Sequence, residues 1–263
     1  MDYFSDPTPS KKLGQNFLRD RKAVEKVLKA AELGKKDNVL EIGPGLGALT
    51  RDLALRSAKV IAVEKDGRMV KALEERLGGF KNLEIIQGDI LKTGLDLPRG
   101  YKVVANLPFY VATHIIRRFL EDVKIKPCVL VLTVQREVGE RICAKPGDMS
   151  ILAVSVQFYA KAEIAGYISK KAFSPKPKVD SAIIRITPKK EKEKVDVDLF
   201  FKIVKAGFSQ PRKQLANNLS KKLGVKRALV EKWLLENGLK PIQRAETLSI
   251  GEWINLANSF KIE

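Results

Sequence analysis

The chain is poor in the side chains that most often bind metals or cross-link strands, with one His and two Cys among 263 residues. Cys128, Cys143 and the distant His114 cannot make a disulfide framework or a zinc site of three or four ligands, so no metal is expected. Long apolar runs are missing too. Cys128–Val134 and Ile151–Val156 are the longest, and they are strand length rather than the ~18 residues of a membrane span, so no membrane partner is expected. The opening Met-Asp-Tyr-Phe-Ser-Asp-Pro lacks the charged and then apolar regions of a secretory signal, which leads to a cytoplasmic expectation.

Acidic residues are the remaining shortage. Asp and Glu number 31 against 49 Lys and Arg, a formal charge of +18. Self-repulsion of that size is relieved most simply by a polyanionic partner, with nucleic acid the leading class. Lys189–Glu263 holds 16 basic and 9 acidic residues, hence +7, and the other +11 lies upstream. The apolar share of 44% is enough for a core and suits one ordinary domain plus a smaller one.

Short β-branched runs alternate with amphipathic stretches from Asn38 to about Ile142. Strands are predicted at Asn38–Ile42, Lys59–Glu64, Leu83–Gln87, Tyr101–Ala105 and Cys128–Val134. Between them, Asp66–Leu77 repeats Met69, Val70, Leu73 and Leu77 at helical spacing. This rhythm predicts an α/β fold with a mostly parallel sheet. After Met149 the pattern turns helical, and the runs Gln157–Ser169 and Ser181–Thr187 then predict antiparallel strands at one edge. Residues 189–194 are charged and predict a linker. Three apolar sets follow, Leu199, Phe200, Ile203, Val204 and Phe208, then Leu215, Leu219 and Leu223, then Leu229, Trp233 and Leu234; they predict a small all-helical C-terminal domain over 195–263.

Glu41-Ile-Gly43-Pro-Gly45-Leu-Gly47 follows the first strand of that rhythm. Glycines there admit a ligand close to the backbone, and Pro44 removes a donor that a pyrophosphate would use, so a nucleoside-type ligand without a pyrophosphate fits better. Glu64 ends the next strand, where an acid can accept from ribose hydroxyls, and Asp89 after the third is placed to accept from an adenine amino group. Asn106-Leu107-Pro108-Phe109 follows the fourth strand. An adenine amino nitrogen is a poor nucleophile. The Asn106 oxygen and the Leu107 carbonyl, both accepting from that group, would aim its lone pair at a methyl donor. Pro108 stiffens the loop, and Phe109 offers a face for an unstacked base. Phe173, beside two prolines and Lys170, Lys171, Lys176 and Lys178, suggests a second base-stacking place with cations for phosphates. Lys11–Leu18 is too apolar for a simple tail, and His114 reads as a helix-face residue rather than a base.

Gly14–Leu18, Glu41–Gly47, Val63–Lys65, Gly88–Ile90, Asn106–Phe109, Phe173–Ser181 and Arg244–Leu248 together resemble the ribosomal RNA adenine N6,N6-dimethyltransferases of the small-subunit type, nearly end to end. The resemblance implies a Rossmann-like class I methyltransferase domain over 1–188, with segment 1–20 over the site, and a helical RNA-binding domain over 195–263. It implies S-adenosylmethionine as cofactor, held by Gln15, Asn16, Leu18, Gly43, Gly45, Glu64, Lys65, Asp89, Ile90 and Asn106. Catalysis would fall to Asn106, Leu107, Pro108, Phe109 and Phe173, and RNA contacts to the four lysines above with Arg212, Lys213, Lys221 and Lys222. The implied substrate is a pair of adjacent adenosines near the 3′ end of small-subunit rRNA, free or in an assembling subunit, and the implied state is a monomer with a role in ribosome biogenesis. Phe109 stands where many relatives carry Tyr. A large-subunit adenine methyltransferase of the antibiotic-resistance type shares the Gly turn and the Asn-Leu-Pro-Phe segment, but matches less well at Pro177–Ser181. A non-catalytic RNA-binding assembly factor would predict a damaged cofactor site, whereas Gly43, Glu64, Asp89 and Asn106 are intact.

Overall fold

The computed structural model describes residues 7–10, 13–108, 111–191 and 193–261. They form two compact units. The first runs to Glu140 and adds Ala160–Pro188; the second takes Arg141–Tyr159 and Lys189 onward.

In chain order the first unit holds β1 (Phe17–Leu18), α1 (Arg21–Ala31), β2 (Asn38–Ile42), α2 (Thr50–Arg56), β3 (Lys59–Glu64), α3 (Gly67–Leu77), β4 (Leu83–Gln87) and β5 (Lys102–Asn106). Next come α4 (Ala112–Arg117), which runs into a π turn over Arg118–Asp122, β6 (Val129–Gln135) and α5 (Arg136–Ile142), whose end reaches the second unit. After α6 (Ile151–Tyr159) of the second unit, β7 (Ala160–Ile168), β8 (Phe173–Ser174) and β9 (Ser181–Pro188) complete it.

The seven-stranded sheet runs β4-β3-β2-β5-β6-β9-β7. It is parallel as far as β6, and β9 lies antiparallel between β6 and β7. Strands β2 to β6 fall within a residue of the runs predicted from sequence. The reason is burial on both faces: Leu40, Val60, Val103, Val104, Leu130 and Val131 are all inaccessible, and such strands read as continuous β-branched runs. Helix α3 behaves as its spacing predicts. Asp66 caps it by accepting from the Arg68 N–H, and Met69, Val70 and Leu73 face the core, each burial stabilising by roughly 1.5–3 kcal/mol. Helix α1, capped by Asp20, buries Val24, Val27 and Leu28 in a cluster with Val104, Val131 and Ile183.

The second unit gathers α6, α7 (Val197–Gly207), α8 (Leu215–Leu223), α9 (Arg227–Glu236) and α10 (Ile250–Ser259) around Phe158, Phe200, Leu219, Leu234 and Trp253. Several sequence expectations are corrected here. Arg141–Tyr159, expected in the first domain, clusters with the C-terminal helices, because Ala153, Val154 and Phe158 fill their core. The strand expected from Gln157 begins only at Ala160, since a short, mostly apolar stretch such as Ile151–Tyr159 reads alike as buried helix or strand. Leu229 is exposed, and Val230 takes its place on the buried stripe with Trp233 and Leu234. The expected linker residues carry no regular structure where they are described, with Lys189 and Glu193 paired at 2.6 Å.

Candidate active site

The carboxyl ends of β2, β3 and β5, the loop after β4 and the N-terminal segment around β1 enclose a cavity of about 190 Å³. Gly43 and Gly45 form its floor with φ of 65° and 56°, a backbone region that a side chain disfavours. Gly45 carries a second constraint: a Cβ there would stand 2.8 Å from the Phe17 ring, so β1 can lie down on the Gly turn only if that position is bare. Around Gly43 a Cβ would meet nothing within 4 Å, so the backbone there faces open space in the cavity wall.

Glu64 stands at the end of β3 and is only 6% exposed. Its Oε2 accepts from the Gly45 N–H at 3.0 Å and its Oε1 from the Asp66 N–H at 2.9 Å. Burial raises its pKa, and these backbone bonds work against that shift. The bonds also fix the carboxylate between the Gly turn and the start of α3. Glu41, one strand over on the same sheet face, is fully buried and pushed up to about 8, with desolvation the main cause. No donor among the described residues reaches its Oε2.

Asp89 is arranged differently. The Lys65 ammonium sits 2.9 Å from Oδ2, and the Leu91 N–H donates to Oδ1 at 3.0 Å; together, Lys65 first, they hold the carboxyl below its usual range. Asn106 ends β5 beside Thr133 of β6, whose carbonyl takes the Leu107 N–H at 3.2 Å. The Asn106 amide nitrogen donates to the Asn16 carbonyl at 3.1 Å. One of the two amide N–H donors is thus committed to the N-terminal segment, which orients the side chain and leaves its oxygen as an acceptor for a ligand.

The sequence pattern of the family described as ribosomal RNA adenine dimethylase matches residues 8–261. The chain belongs to that family. It is 44% identical over 254 residues to Ribosomal RNA small subunit methyltransferase A of Dehalococcoides mccartyi (strain CBDB1), covering 94% of this chain and 86% of that one. Among solved structures it resembles a dimethyladenosine transferase from Plasmodium falciparum, with a TM-score of 0.79 and 26% identity over 93% of this chain and 97% of that one. It also resembles the 23S rRNA methyltransferase ErmE, with a TM-score of 0.76 and 29% identity over 92% and 98%.

In this dimethylase-family chain the cavity brings together most residues singled out from sequence: Gln15, Asn16, Gly43, Gly45, Glu64, Lys65, Asp89, Ile90, Asn106, Leu107, Pro108 and Phe173 all line it. Leu18 does not. Its side chain points into the core beneath, paired through its backbone with Phe173, and the neighbouring Phe17 reaches the cavity instead. Strand alternation, which turns successive side chains to opposite faces, is the signal that separates the two. Phe109 lies outside the described residues. Gln15 lines the cavity as a strap: its amide nitrogen donates to Asp66 at 3.1 Å and its oxygen accepts from the Ser10 N–H at 2.7 Å. Val111, just before α4, and Ile115 within it form an apolar wall that no sequence motif marks. His114 is exposed on α4.

Lys170 and Lys171 open a short 3₁₀ turn before β8, and Lys171, Lys176 and Lys178 are exposed, while the Lys170 ammonium donates to the Lys178 carbonyl. In the second unit Arg212, Lys213, Lys221 and Lys222 are all exposed. The all-helical expectation for 195–263 is corrected at Phe208–Lys213. This stretch is a turn after α7, broken at Pro211 and held by the Asn218 amide, which donates to the Gly207 and Gln210 carbonyls. No cluster of three or more His, Cys, Asp and Glu that could hold a metal occurs among the described residues, and no helix among them is long and apolar enough to cross a membrane.

Proposed function

We propose that this chain transfers methyl groups from S-adenosylmethionine to the N6 atoms of two adjacent adenosines near the 3′ end of small-subunit rRNA. The cavity residues suit that cofactor: bare glycine backbone beside the opening, a buried carboxylate held by backbone at one strand end and a second carboxylate at the next. Glu64 is suited to accept from the ribose hydroxyls, Asp89 from the adenine amino group, and the Gly43–Gly45 backbone to lie against the amino-acid portion. When bound, the cofactor supplies a methyl group already activated on a sulfonium.

The observation that carries the reading is the Asn106 amide, whose nitrogen is tied to the Asn16 carbonyl. A side chain held that way offers its oxygen to the amino group of a target adenine. With the Leu107 carbonyl as second acceptor, the nitrogen is drawn toward a tetrahedral shape and its lone pair is aimed. Phe173 borders the cavity, but its side chain is buried in the core cluster with its partner Leu18 and does not present the open stacking face expected from sequence. The exposed cations Lys171, Lys176, Lys178, Arg212, Lys213, Lys221 and Lys222 are suited to RNA phosphates.

The test is incubation with labelled S-adenosylmethionine and small subunits lacking the modification, followed by mapping of the labelled nucleotide. Label on N6 of adjacent adenosines near the 3′ end is expected. Label on a large-subunit adenosine instead, the activity named for the similar ErmE structure, would overturn the substrate assignment.

A further inference from the structure

Residues 88–101, between β4 and β5, contain no regular helix or strand, yet they carry Asp89. Ile90, Leu97 and Tyr101 are buried, but Leu91 to Asp96 between them are half-buried or exposed. On one side the loop borders the candidate active site through Asp89, Ile90 and Leu91. On the other, Ile90, Thr93, Asp96 and Leu97 line a second cavity of about 270 Å³, so Ile90 stands between two open spaces. Polar contacts must therefore do what packing does not. Some are local: Asp89 takes the Leu91 N–H on its carboxylate, and its carbonyl accepts from the Lys92 and Thr93 N–H groups and the Thr93 hydroxyl.

From the end of β3 the Lys65 ammonium pairs with the Asp89 carboxylate and the Glu64 carbonyl takes the Gly88 N–H, and from the end of α4 two further bonds come from Arg118. Its Nη1 donates to the Leu91 carbonyl at 2.7 Å and its Nη2 to the Thr93 carbonyl at 2.9 Å. One planar guanidinium thus spans the stretch that follows Asp89, with the fork geometry that Lys cannot reproduce. Arg118 stands where α4 widens into the π turn, with the Val123 N–H bonded back to the Arg118 carbonyl at 3.1 Å. Such turns are rare and occur frequently at functional sites. The same helix follows the Asn106–Pro108 segment and gives Ile115 to the cavity wall, beside Val111 at its start.

We infer that Arg118 is a positioning residue that holds the Asp89–Thr93 loop in the shape that recognises the adenine of the cofactor. It touches neither cofactor nor substrate; it acts through the loop backbone and so through Asp89. The inference rests on the reading of Asp89 as acceptor for the adenine amino group. Its consequence is selective. Loosening the loop removes preference for the amino group without equally weakening contacts made through Glu64 and the Gly turn.

Calorimetric dissociation constants for S-adenosylhomocysteine and for its deaminated analogue, S-inosylhomocysteine, test this in the parent and in Arg118→Met and Arg118→Lys. The parent is expected to prefer the adenosyl ligand by about tenfold or more, as for one charge-assisted hydrogen bond. In Arg118→Met that preference collapses, with adenosyl binding weakened about tenfold and inosyl binding nearly unchanged. Arg118→Lys, which keeps the charge and one donor direction, falls between them and carries the test if the Met variant does not fold. Retained preference in the variants, or equal weakening of both ligands, overturns the inference. No preference in the parent would instead sink the reading of Asp89 itself, before any variant is measured.

Discussion

The cavity at the carboxyl edge of the sheet and the cationic turn of the helical unit are built on opposite plans. At the sheet edge the polar groups are few, buried or half-buried, and tied to backbone: Glu64 to Gly45 and Asp66, Asn106 to Asn16. In the helical unit Arg212, Lys213, Lys221 and Lys222 are exposed side chains on a turn and a helix end. The first plan makes each atom count, because a buried group removed or left unpaired costs its full interaction. The second makes only the sum count, because exposed charges are screened and replaceable.

Asn106→Ala should break the comparison most visibly. It removes an orienting acceptor, and turnover on small-subunit RNA is expected to fall by roughly a hundredfold to a thousandfold, the scale of losing one preorganised group. Calorimetry should find a much smaller change in cofactor affinity. Near-parent turnover would remove Asn106 from the reacting centre. Glu64→Ala comes next, with S-adenosylmethionine binding weakened by about 1.5–3 kcal/mol for a charged acceptor held in a buried place. An unchanged dissociation constant in the folded variant would move the ribose partner elsewhere.

Glu41 sharpens the contrast, since it is buried without a donor at Oε2 among the described residues. Its folded pKa of about 8 lies above its ordinary 4.5. Between these values the folded chain keeps a proton that the unfolded chain releases, so stability falls as pH rises through that window and levels off above it. Glu41→Gln lacks this dependence. Its melting temperature should gain on that of the parent from pH 5 to pH 8 by roughly several degrees, and parallel profiles would exclude a protonated Glu41. The smallest effect per residue is expected at the cations. Replacing Arg212, Lys213, Lys221 and Lys222 together by Ala should flatten the salt dependence of RNA binding by about 0.7–0.9 log units for each phosphate no longer neutralised. Each single replacement should hardly register, and a retained slope in the quadruple variant would place the RNA elsewhere.

The same contrast explains how much of the molecule is legible in its amino-acid sequence. Parallel strands buried on both faces announce themselves, and the polar residues at or just past their carboxyl ends fall at positions set by chain direction alone, which is why Glu64, Asp89 and Asn106 stand out. Helix α10 carries a local signal of its own: Ser249 and Glu252 form a capping box, a pattern visible as Ser-x-x-Glu before an apolar run. The α6 to β7 boundary carries none, because apolar residues continue through it. Phe17 over Gly45 and Arg118 on the loop after β4 arise only from tertiary contact between distant segments, and nothing local in the chain marks them.

Phe17 and Leu18 pair with Ser174 and Phe173, residues that a ribosome adds long after the first strand has emerged. Until then the strand ends carrying Glu64 and Asn106 are already made, but the segment meant to close over them lacks its β8 partner, and β6 waits for β9 along its outer edge. Competence to retain a cofactor is thus a late event in synthesis. Stalled chains that stop before Phe173 are expected to retain no labelled cofactor, and retention by such chains would show that closure by β8 is dispensable. In a chain of the ribosomal RNA adenine dimethylase family, the site thus closes only once most of the sequence has been made.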